Sequence, residues 1–328
     1  MPKRAADWET NLDLFGDVEK ADEVKRRLVY RPMRHPVWSE HKARLIELYL
    51  RYFVMVTKHG TYIDGFAGPQ SPENQETWSA KAVLESRPRF LRHFFLCELD
   101  PSKVEMLRTL VGAQPPPIPR KESKRTTEIY SGDFNSQIDT ILNTGIIKET
   151  EAAFALLDQR TFECHWSTVQ KLSQHKKAGN KIELFYFVAV KWLHRSFAGT
   201  STEQGSGEID AWWGGPGWNS LKQSSQFNIA KAFTKRFETE LGYRFAVPHP
   251  IYGKENGRGG IMYYMVHATD HPAAPRLMSR AYNQAVMSLE KKPDQGMLFA
   301  SALDGPSINE KIGSDDDASC PKPGMGAP

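Results

Sequence analysis

Gly60-Thr61-Tyr62-Ile63-Asp64-Gly65-Phe66-Ala67-Gly68 is the stretch of this 328-residue chain that decides its fold. A short apolar run ends in an acid, and two glycines follow within four residues. This pattern predicts a buried strand over 60–64 that stops at a tight turn. Glycine in such a turn lets the backbone approach a ligand closely. We therefore expect a ligand site directly after this strand.

Strands and helices alternate on both sides of this stretch. Ahead of it, apolar residues at helical spacing predict a helix that starts near Trp38 and ends at Gly60. After it, strands are predicted over 93–98, 128–130, 153–158 and 181–190, with helices near 79–86, 100–110, 137–143 and 166–174. Near-continuous apolar strands separated by helices are typical of a parallel sheet covered on both faces. The predicted fold class is α/β, with a doubly wound, mostly parallel, Rossmann-like sheet.

The chain divides into three regions by composition. Residues 1–36 are polar and are predicted to be an N-terminal arm, and 37–290 the α/β domain. Residues 291–328, rich in Pro, Gly, Asp and Ser, are predicted to be a disordered tail. Within the domain, residues 199–222 combine glycines with three tryptophans and are predicted to form a loop. A helix over 226–240, strands over 243–247 and 261–268, and a helix over 274–289 follow.

The overall composition excludes several classes of protein. The chain is 40% hydrophobic and has a formal net charge of +4, so it can bury a core. No apolar run approaches the roughly 20 residues of a membrane span, and the first residues lack the apolar stretch of a secretory signal. Three cysteines far apart in the sequence favour neither a disulfide framework nor a zinc site. We expect a soluble, cytoplasmic protein without a metal.

An acid ends each of four predicted strands. These acids are Asp64, Glu98, Asp133 and Asp158. Because ligands of doubly wound sheets bind outside the carboxyl ends of the strands, we expect the four acids to meet at one site. Glu98, at the end of the second strand, is suited to accept both hydroxyls of a ribose. Asp64 is expected to contact the same cofactor, and Asp133 its adenine.

Two common nucleotide motifs are missing from this site. A dinucleotide-binding domain has Gly-x-Gly-x-x-Gly after its first strand, whereas this chain has only Gly65-x-x-Gly68, and it has no Gly-x-x-x-x-Gly-Lys-Ser/Thr loop. A row of acids would also repel a pyrophosphate, which calls for backbone N–H groups or Lys. The pattern therefore favours S-adenosylmethionine, which carries ribose, adenine and cationic groups, over NAD or ATP.

The stretch Tyr62–Gly68 resembles the first motif of class I S-adenosylmethionine-dependent methyltransferases. Over residues 37–285 the chain resembles, more narrowly, the three-Cys-motif partner proteins. The shared features are Trp38 and Lys42 in an opening helix, the strand end Ile63–Gly68, Asp158 followed by Trp166-Ser167-Thr168, and a late strand over 262–269 followed by His271-Pro272. This resemblance implies a seven-stranded methyltransferase sheet with an antiparallel last strand. It also implies a partner, a three-cysteine protein of the radical S-adenosylmethionine type.

Two functions follow from these observations. The first is a methyltransferase whose acceptor is a nucleic acid or is delivered by the partner, with Asp158 as the catalytic residue that orients the acceptor. Its predicted cofactor-binding residues are Asp64, Gly65, Phe66, Ala67, Gly68, Glu98 and Asp133. The second is a non-catalytic, methyltransferase-like scaffold that works with the three-cysteine partner.

One observation favours each of these functions. After Asp158 the chain reads Gln159-Arg160-Thr161-Phe162 and lacks the prolines that shape the base-accepting pocket of amino-methyltransferases, which favours the scaffold. The acids that end the first three strands favour the enzyme, because a vestigial pocket has no reason to keep them. The enzyme is the function we expect.

Basic and aromatic groups are candidates for holding a nucleic-acid acceptor. The stretch Lys25–Arg34 and the loop Arg120–Arg125 carry positive charge, and the tryptophans Trp212, Trp213 and Trp218 are candidates for stacking a base. A nucleic-acid acceptor predicts that these groups border the mouth of the pocket together. The alternative is that they lie on separate faces of the molecule.

Overall fold

The computed structural model describes residues 37–38, 41–70, 73, 75–119, 121–122, 124–199, 203–253 and 260–290. The predicted N-terminal arm (1–36) and C-terminal tail (291–328) lie outside the described residues, as does the basic stretch Lys25–Arg34.

The described strands form one sheet of eight strands. Their bounds are β1 Val37–Trp38, β2 Gly60–Asp64, β3 Leu91–Glu98, β4 Thr126–Ser131, β5 Ala153–Leu157, β6 Glu183–Val188, β7 Phe245–Tyr252 and β8 Ile261–Thr269. Across the sheet they lie in the order β1-β7-β8-β6-β5-β2-β3-β4. The pairs β6–β8 and β7–β8 are antiparallel, and the other pairs are parallel. The prediction of an α/β fold with a mostly parallel sheet and an antiparallel last strand is confirmed, with the two-residue β1 added at one edge.

Helices cover both faces of this sheet. Their bounds are α1 Lys42–Thr57, α2 Ser79–Glu85, α3 Pro101–Gly112, α4 Phe134–Leu142, α5 Trp166–Gln174, α6 Val190–Gly199, α7 Glu203–Trp213, α8 Gln226–Thr239 and α9 Ala274–Glu290. Residues of α1, α2, α3 and α9 pack in one apolar core, and residues of α4 to α8 pack in the other.

Alternation along the strands produces the two cores. In β2, Tyr62 faces the core of α1 while Ile63 faces the core of α4, and Phe154 and Ala155 of β5 divide in the same way. Because successive side chains of a strand point to opposite faces, a strand buried on both sides is apolar at nearly every position. This explains why these strands were visible in the sequence as continuous apolar runs.

The predicted loop over 199–222 is wrong in its larger part. Residues 203–213 form the helix α7, and Pro216–Leu221 form a short 3₁₀ helix. Two glycines at 205 and 207 disfavour a helix, but burial of Ile209 and Trp212, both at most 2% exposed, outweighs that preference. The strand predicted over 181–190 ends at Val188, because the chain turns there into α6.

Parallel pairing fixes where the functional groups meet. The strands β5, β2, β3 and β4 are neighbours and run in the same direction, so their carboxyl ends share one edge of the sheet. The loops that lead into these strands lie at the opposite, amino-terminal edge. Arg125, directly before β4, lies at this edge.

Candidate functional site

Four acids lie in a row along the carboxyl edge of the sheet. In the order of the strands they are Asp158 after β5, Asp64 in β2, Glu98 in β3 and Asp133 after β4. Adjacent strands lie about 4.8 Å apart, so this row of acids extends over roughly 15 Å. The row borders a cavity of about 710 Å³, a size in the ordinary range for sites of small ligands.

The structure brings all of the predicted site residues to this cavity. Its walls include Asp64, Gly65, Phe66, Ala67, Gly68, Glu98, Asp133 and Asp158. The sequence therefore placed these residues together correctly, while the cofactor and the role of each residue stay predictions.

The turn Gly65–Gly68 is held by its backbone and by one tryptophan. The N–H of Gly65 donates to the carbonyl of Leu156 on one side (3.1 Å), and the N–H of Ala67 donates to the carbonyl of Cys97 on the other (2.8 Å). The indole N–H of Trp78 donates to the carbonyl of Ala67 at 2.6 Å. The turn thus continues the ladders of both neighbouring strands and is fixed before any ligand arrives.

Both glycines of this turn are required by close approach. A Cβ at position 65 would lie 2.8 Å from the ring of Phe134. A Cβ at position 68 would lie 2.2 Å from Oε2 of Glu98, nearer than real Cβ atoms come. The missing side chain of Gly68 allows its N–H to donate to that oxygen at 2.8 Å.

Asp64 is a buried carboxylate beneath the turn. It is 1% exposed and accepts hydrogen bonds from the hydroxyl of Tyr62 (2.8 Å) and the N–H of Phe66 (3.1 Å). The pKa of Asp64 is raised from 3.8 to about 7: burial is the main cause, the two hydrogen bonds oppose the rise, and the neighbouring carboxylates Asp158 and Glu98 add to it. A cation beside Asp64 would favour its ionised form.

Glu98 is held by two backbone groups at the middle of the row. Its Oε2 accepts from the N–H of Gly68, and its Oε1 accepts from the N–H of Asp100 at 2.9 Å. Each carboxylate oxygen has a second lone pair, so Glu98 can still accept from a hydroxyl group in the cavity. Asp100 is the N-cap of α3, as expected, because its side chain accepts from the N–H of Ser102.

Asp133 lies at the far end of the row, after Gly132, whose φ of +138° suits glycine. Its carboxylate accepts from Asn135 Nδ2 at 2.9 Å and from the hydroxyl of Ser136 at 3.2 Å. Asn135 also accepts from the N–H of His165 (2.9 Å), which ties the start of α4 to the start of α5. This end of the cavity is therefore rigidly built.

Asp158 has a partner that the sequence did not predict. The ammonium group of Lys42, the first residue of α1, lies 2.7 Å from Oδ1 and 2.6 Å from Oδ2 of Asp158. The side chains are 3% and 10% exposed, respectively, so the ion pair is largely shielded from water. The predicted acceptor-orienting residue is thus already bound to a cation of the same chain.

The segment after Asp158 is shaped by polar side chains in place of prolines. Gln159 is buried, donates to the carbonyl of Phe187 at 3.0 Å and accepts from the N–H of Cys164 at 3.0 Å. Glu163 accepts from the N–H groups of Arg160 (2.7 Å) and Thr161 (2.8 Å). These bonds fix the wall of the cavity without the Pro-rich motif.

The lining of the cavity is strongly acidic. Its described residues include seven carboxylates, Asp64, Glu98, Asp100, Asp133, Asp158, Glu163 and Glu208, and two permanent cations, Lys103 and Arg160. Such a lining attracts cationic groups and repels phosphates.

Those of the groups expected to hold a nucleic acid that the structure describes do not meet at this cavity. Arg125 lies at the amino-terminal edge, immediately before β4, and donates to the carbonyl of Leu84 (2.7 Å). Trp212 and Trp218 are buried in the core, and Trp213 packs against the guanidinium of Arg236, whose Cζ lies 4.3 Å from the ring centroid. The expected arrangement around the mouth is therefore wrong for the described residues, because loops that precede parallel strands lie opposite the site.

Sequence reasoning missed several residues of the site. Leu99, at the lip of the cavity, is 68% exposed and offers an apolar surface beside Glu98. Its position in the sequence, as an apolar residue between the acids Glu98 and Asp100 at the end of a strand, could have indicated this role. Glu208 reaches the cavity from α7, which was not predicted, and Lys42 and Trp78 reach the site through contacts between residues far apart in the sequence.

The chain matches no model of a known protein family and no curated protein. Among the described residues, no helix has the length and apolar character needed to cross a membrane. In the same part of the chain, no three His, Cys, Asp or Glu side chains are grouped so that they could hold a metal ion.

Proposed function

We propose that this protein is an S-adenosylmethionine-dependent methyltransferase of the class I type. The observation that carries the proposal is the row of acids on four adjacent strand ends, beside a glycine turn and the same cavity. An extended ligand can contact the acids in sequence, with one chemical group for each strand end. The strand order, with an antiparallel hairpin strand inserted next to β6, agrees with the sheet that the sequence resemblance implies.

The residues fit the parts of S-adenosylmethionine in a definite order. Glu98, with free lone pairs and the exposed Leu99 beside it, suits the ribose and one face of the adenine. Asp133 suits the exocyclic amine of the adenine, which is a hydrogen-bond donor. Asp64 and the acidic lining suit the ammonium and sulfonium groups. The same lining opposes the pyrophosphate of NAD and the triphosphate of ATP.

The chain's own residues would act mainly by binding and alignment. S-adenosylmethionine, when bound, supplies an activated methyl group. The fixed turn Gly65–Gly68 and the acids would orient it, and Asp158, in the cavity wall at the next strand end, would face the acceptor. Holding donor and acceptor in line is the main contribution that a protein makes to such a transfer.

Calorimetry on the full chain tests this proposal. S-adenosylmethionine is expected to bind with micromolar affinity, while NADH and ATP bind at least tenfold more weakly. Glu98→Gln should weaken S-adenosylmethionine about 10- to 150-fold, since a hydrogen bond to a charged acceptor contributes roughly 1.5–3 kcal/mol. Glu105→Gln, an exposed acid of α3 outside the cavity, is the matched control and should leave the affinity unchanged. No binding at millimolar S-adenosylmethionine would refute the proposal.

One observation favours the non-catalytic scaffold as the second candidate. Both oxygens of Asp158 contact Lys42, so its carboxylate is already engaged. Transfer of a labelled methyl group to cell extracts, with the three-cysteine partner present, separates the candidates. An enzyme gives incorporation that Asp158→Asn reduces at least tenfold. Cofactor binding without incorporation in either protein would favour the scaffold.

A further inference from the structure

The ion pair between Lys42 and Asp158 is the feature of the cavity that the proposed function leaves unexplained. Asp158 forms part of the cavity wall, whereas Lys42 approaches it from outside, at the first turn of α1. Its Nζ atom lies within 2.7 Å of both carboxylate oxygens. A lysine that is 3% exposed is rare without a compensating charge, because burying an unpaired ammonium group is very costly.

Aromatic rings complete the surroundings of this ammonium group. The Nζ atom of Lys42 lies 4.9 Å from the ring centroid of Phe187 and 5.6 Å from that of Tyr263. Both distances are in the range of cation–π contacts. Gln159 bonds to the carbonyl of Phe187, so the segment after Asp158 and the end of β6 are joined at the same place.

The far end of α1 is anchored independently of this pair. The hydroxyl of Tyr49 donates to Glu183, and that of Tyr52 donates to Gln284 at 2.7 Å. These contacts hold the helix to the sheet and to α9. The position of Lys42 is therefore set by the packing of α1, and Asp158 is bound by a group from an element outside the cavity wall.

We propose that Lys42 is a positioning residue for the transfer step, which fixes Asp158 at the cavity wall and cancels its charge. This inference rests on the proposed function. Without Lys42, Asp158 would add an uncompensated negative charge next to Asp64 and Glu98. With Lys42, Asp158 adds no net charge to the acceptor end of the cavity, while the cofactor end stays acidic. The acceptor that fits a neutral end is an uncharged nitrogen or oxygen nucleophile.

A comparison of two ligands tests the cancellation of charge. S-adenosylmethionine and S-adenosylhomocysteine differ by one methyl group and one positive charge, and calorimetry gives the ratio of their affinities. Lys42→Met leaves Asp158 unpaired, so the ratio should shift toward S-adenosylmethionine. Asp158→Asn leaves Lys42 unpaired, so the ratio should shift the other way. Each shift should be between about 3-fold and 30-fold, the effect of a unit charge about 8 Å away at effective dielectric constants between about 80 and 20.

Further variants separate charge from structure. The double variant of Lys42→Met with Asp158→Asn restores neutrality, so its ratio should return close to that of the wild type. Lys42→Arg keeps the charge and should leave the ratio unchanged. Lys171→Met breaks a surface ion pair with Asp139 (2.7 Å) outside the cavity and is the matched control, with no expected change. Thermal melting checks that each variant is folded. If Lys42→Met does not fold, the affinity ratios of Asp158→Asn and of the double variant provide the test.

Sinefungin, which carries an ammonium group where S-adenosylmethionine carries its S-methyl, stands in for a charged acceptor. Lys42→Met should raise its affinity relative to that of S-adenosylhomocysteine by about 3- to 30-fold. An unchanged ratio of these two affinities would overturn the cancellation of charge. If both natural ligands bind but no variant changes their ratio, the role of Lys42 is refuted and the proposed function stands. If neither binds the wild type, both fail.

Discussion

Two carboxylates at opposite edges of the sheet differ in burial and in surroundings: Glu183 is buried, whereas Glu98 is half-buried. Glu183 starts β6 at the amino-terminal edge and is 5% exposed. It accepts from the hydroxyls of Tyr49 and Thr269 (3.0 Å for Thr269) and lies 2.7 Å from His267 Nε2. Glu98, at the carboxyl edge, accepts from two backbone N–H groups and faces the large cavity.

The difference shows what marks a functional acid in this fold. Glu183 is surrounded by three side-chain partners from two elements, Tyr49 of α1 and His267 and Thr269 of β8, so its hydrogen bonds connect buried parts of the protein. Glu98 is held by the backbone N–H groups of Gly68 and Asp100 and keeps further lone pairs for a ligand in the cavity. An acid at a strand end is therefore informative only when a turn without side chains lies beside it.

The largest expected effect is the difference in stability between alanine substitutions at these two acids. Glu183→Ala leaves three buried donors without an acceptor and should lower the free energy of unfolding by about 3–5 kcal/mol. Glu98→Ala should cost only about 1 kcal/mol, because water can reach the freed N–H groups. Urea denaturation measures both. The comparison would break if Glu98→Ala were as destabilising as Glu183→Ala.

Gly68→Ala should sharpen the comparison at the carboxyl edge. The new Cβ would lie 2.2 Å from Oε2 of Glu98 and must displace that carboxylate. We expect S-adenosylmethionine affinity to fall at least about tenfold, with a stability loss of about 1–3 kcal/mol. Gly112→Ala, which has no atom near its Cβ position, is the matched control in calorimetry. Unchanged affinity in Gly68→Ala would mean that Glu98 does not contact the ligand.

The last expected effect is a pH dependence of stability that Asp64 confers. Burial raises the pKa of Asp64 from 3.8 to about 7, so between these values the folded chain keeps a proton that the unfolded chain has lost. The contribution of Asp64 to the free energy of unfolding should therefore fall as the pH rises from about 4 to 7, by up to about 1.4 kcal/mol per pH unit, and then level off.

Asp64→Asn removes this titration and provides the control. The free energies of unfolding of wild type and variant are measured in urea from pH 5 to pH 8. As the pH rises to about 7, the wild type should become less stable relative to the variant. A difference that stays constant with pH would contradict the burial of an acid at this position.

The fold was predictable because its strands are buried on both faces. Continuous apolar runs such as Phe94–Cys97 and Ala153–Leu157 are typical of strands buried on both faces. Because such strands run parallel, the acids that end them lie at one edge of the sheet. The helix α7 was not predicted, because Gly205 and Gly207 have low helix propensity. Its helix is stabilised by burial of Trp212, a tertiary contact that local sequence does not reveal.

The residues that line the site could be predicted from the sequence, whereas several of their contacts with each other could not. The positions of Asp64, Glu98 and Asp133 follow from strand ends, which is a local rule. The pairing of Lys42 with Asp158 joins residues 116 positions apart and depends on how α1 packs. The bond from Trp78 to Ala67 depends in the same way on the path of a loop.

A crystal structure of the full chain with S-adenosylhomocysteine tests the central claim most directly. We predict that the ligand lies along the row of acids, with its ribose hydroxyls on Glu98, its adenine between Leu99 and Asp133, and its sulfur near Asp64. Asp158 should remain paired with Lys42 at the adjoining strand end. Ligand density elsewhere on the molecule, or a cavity that stays empty at saturating ligand, would contradict the account.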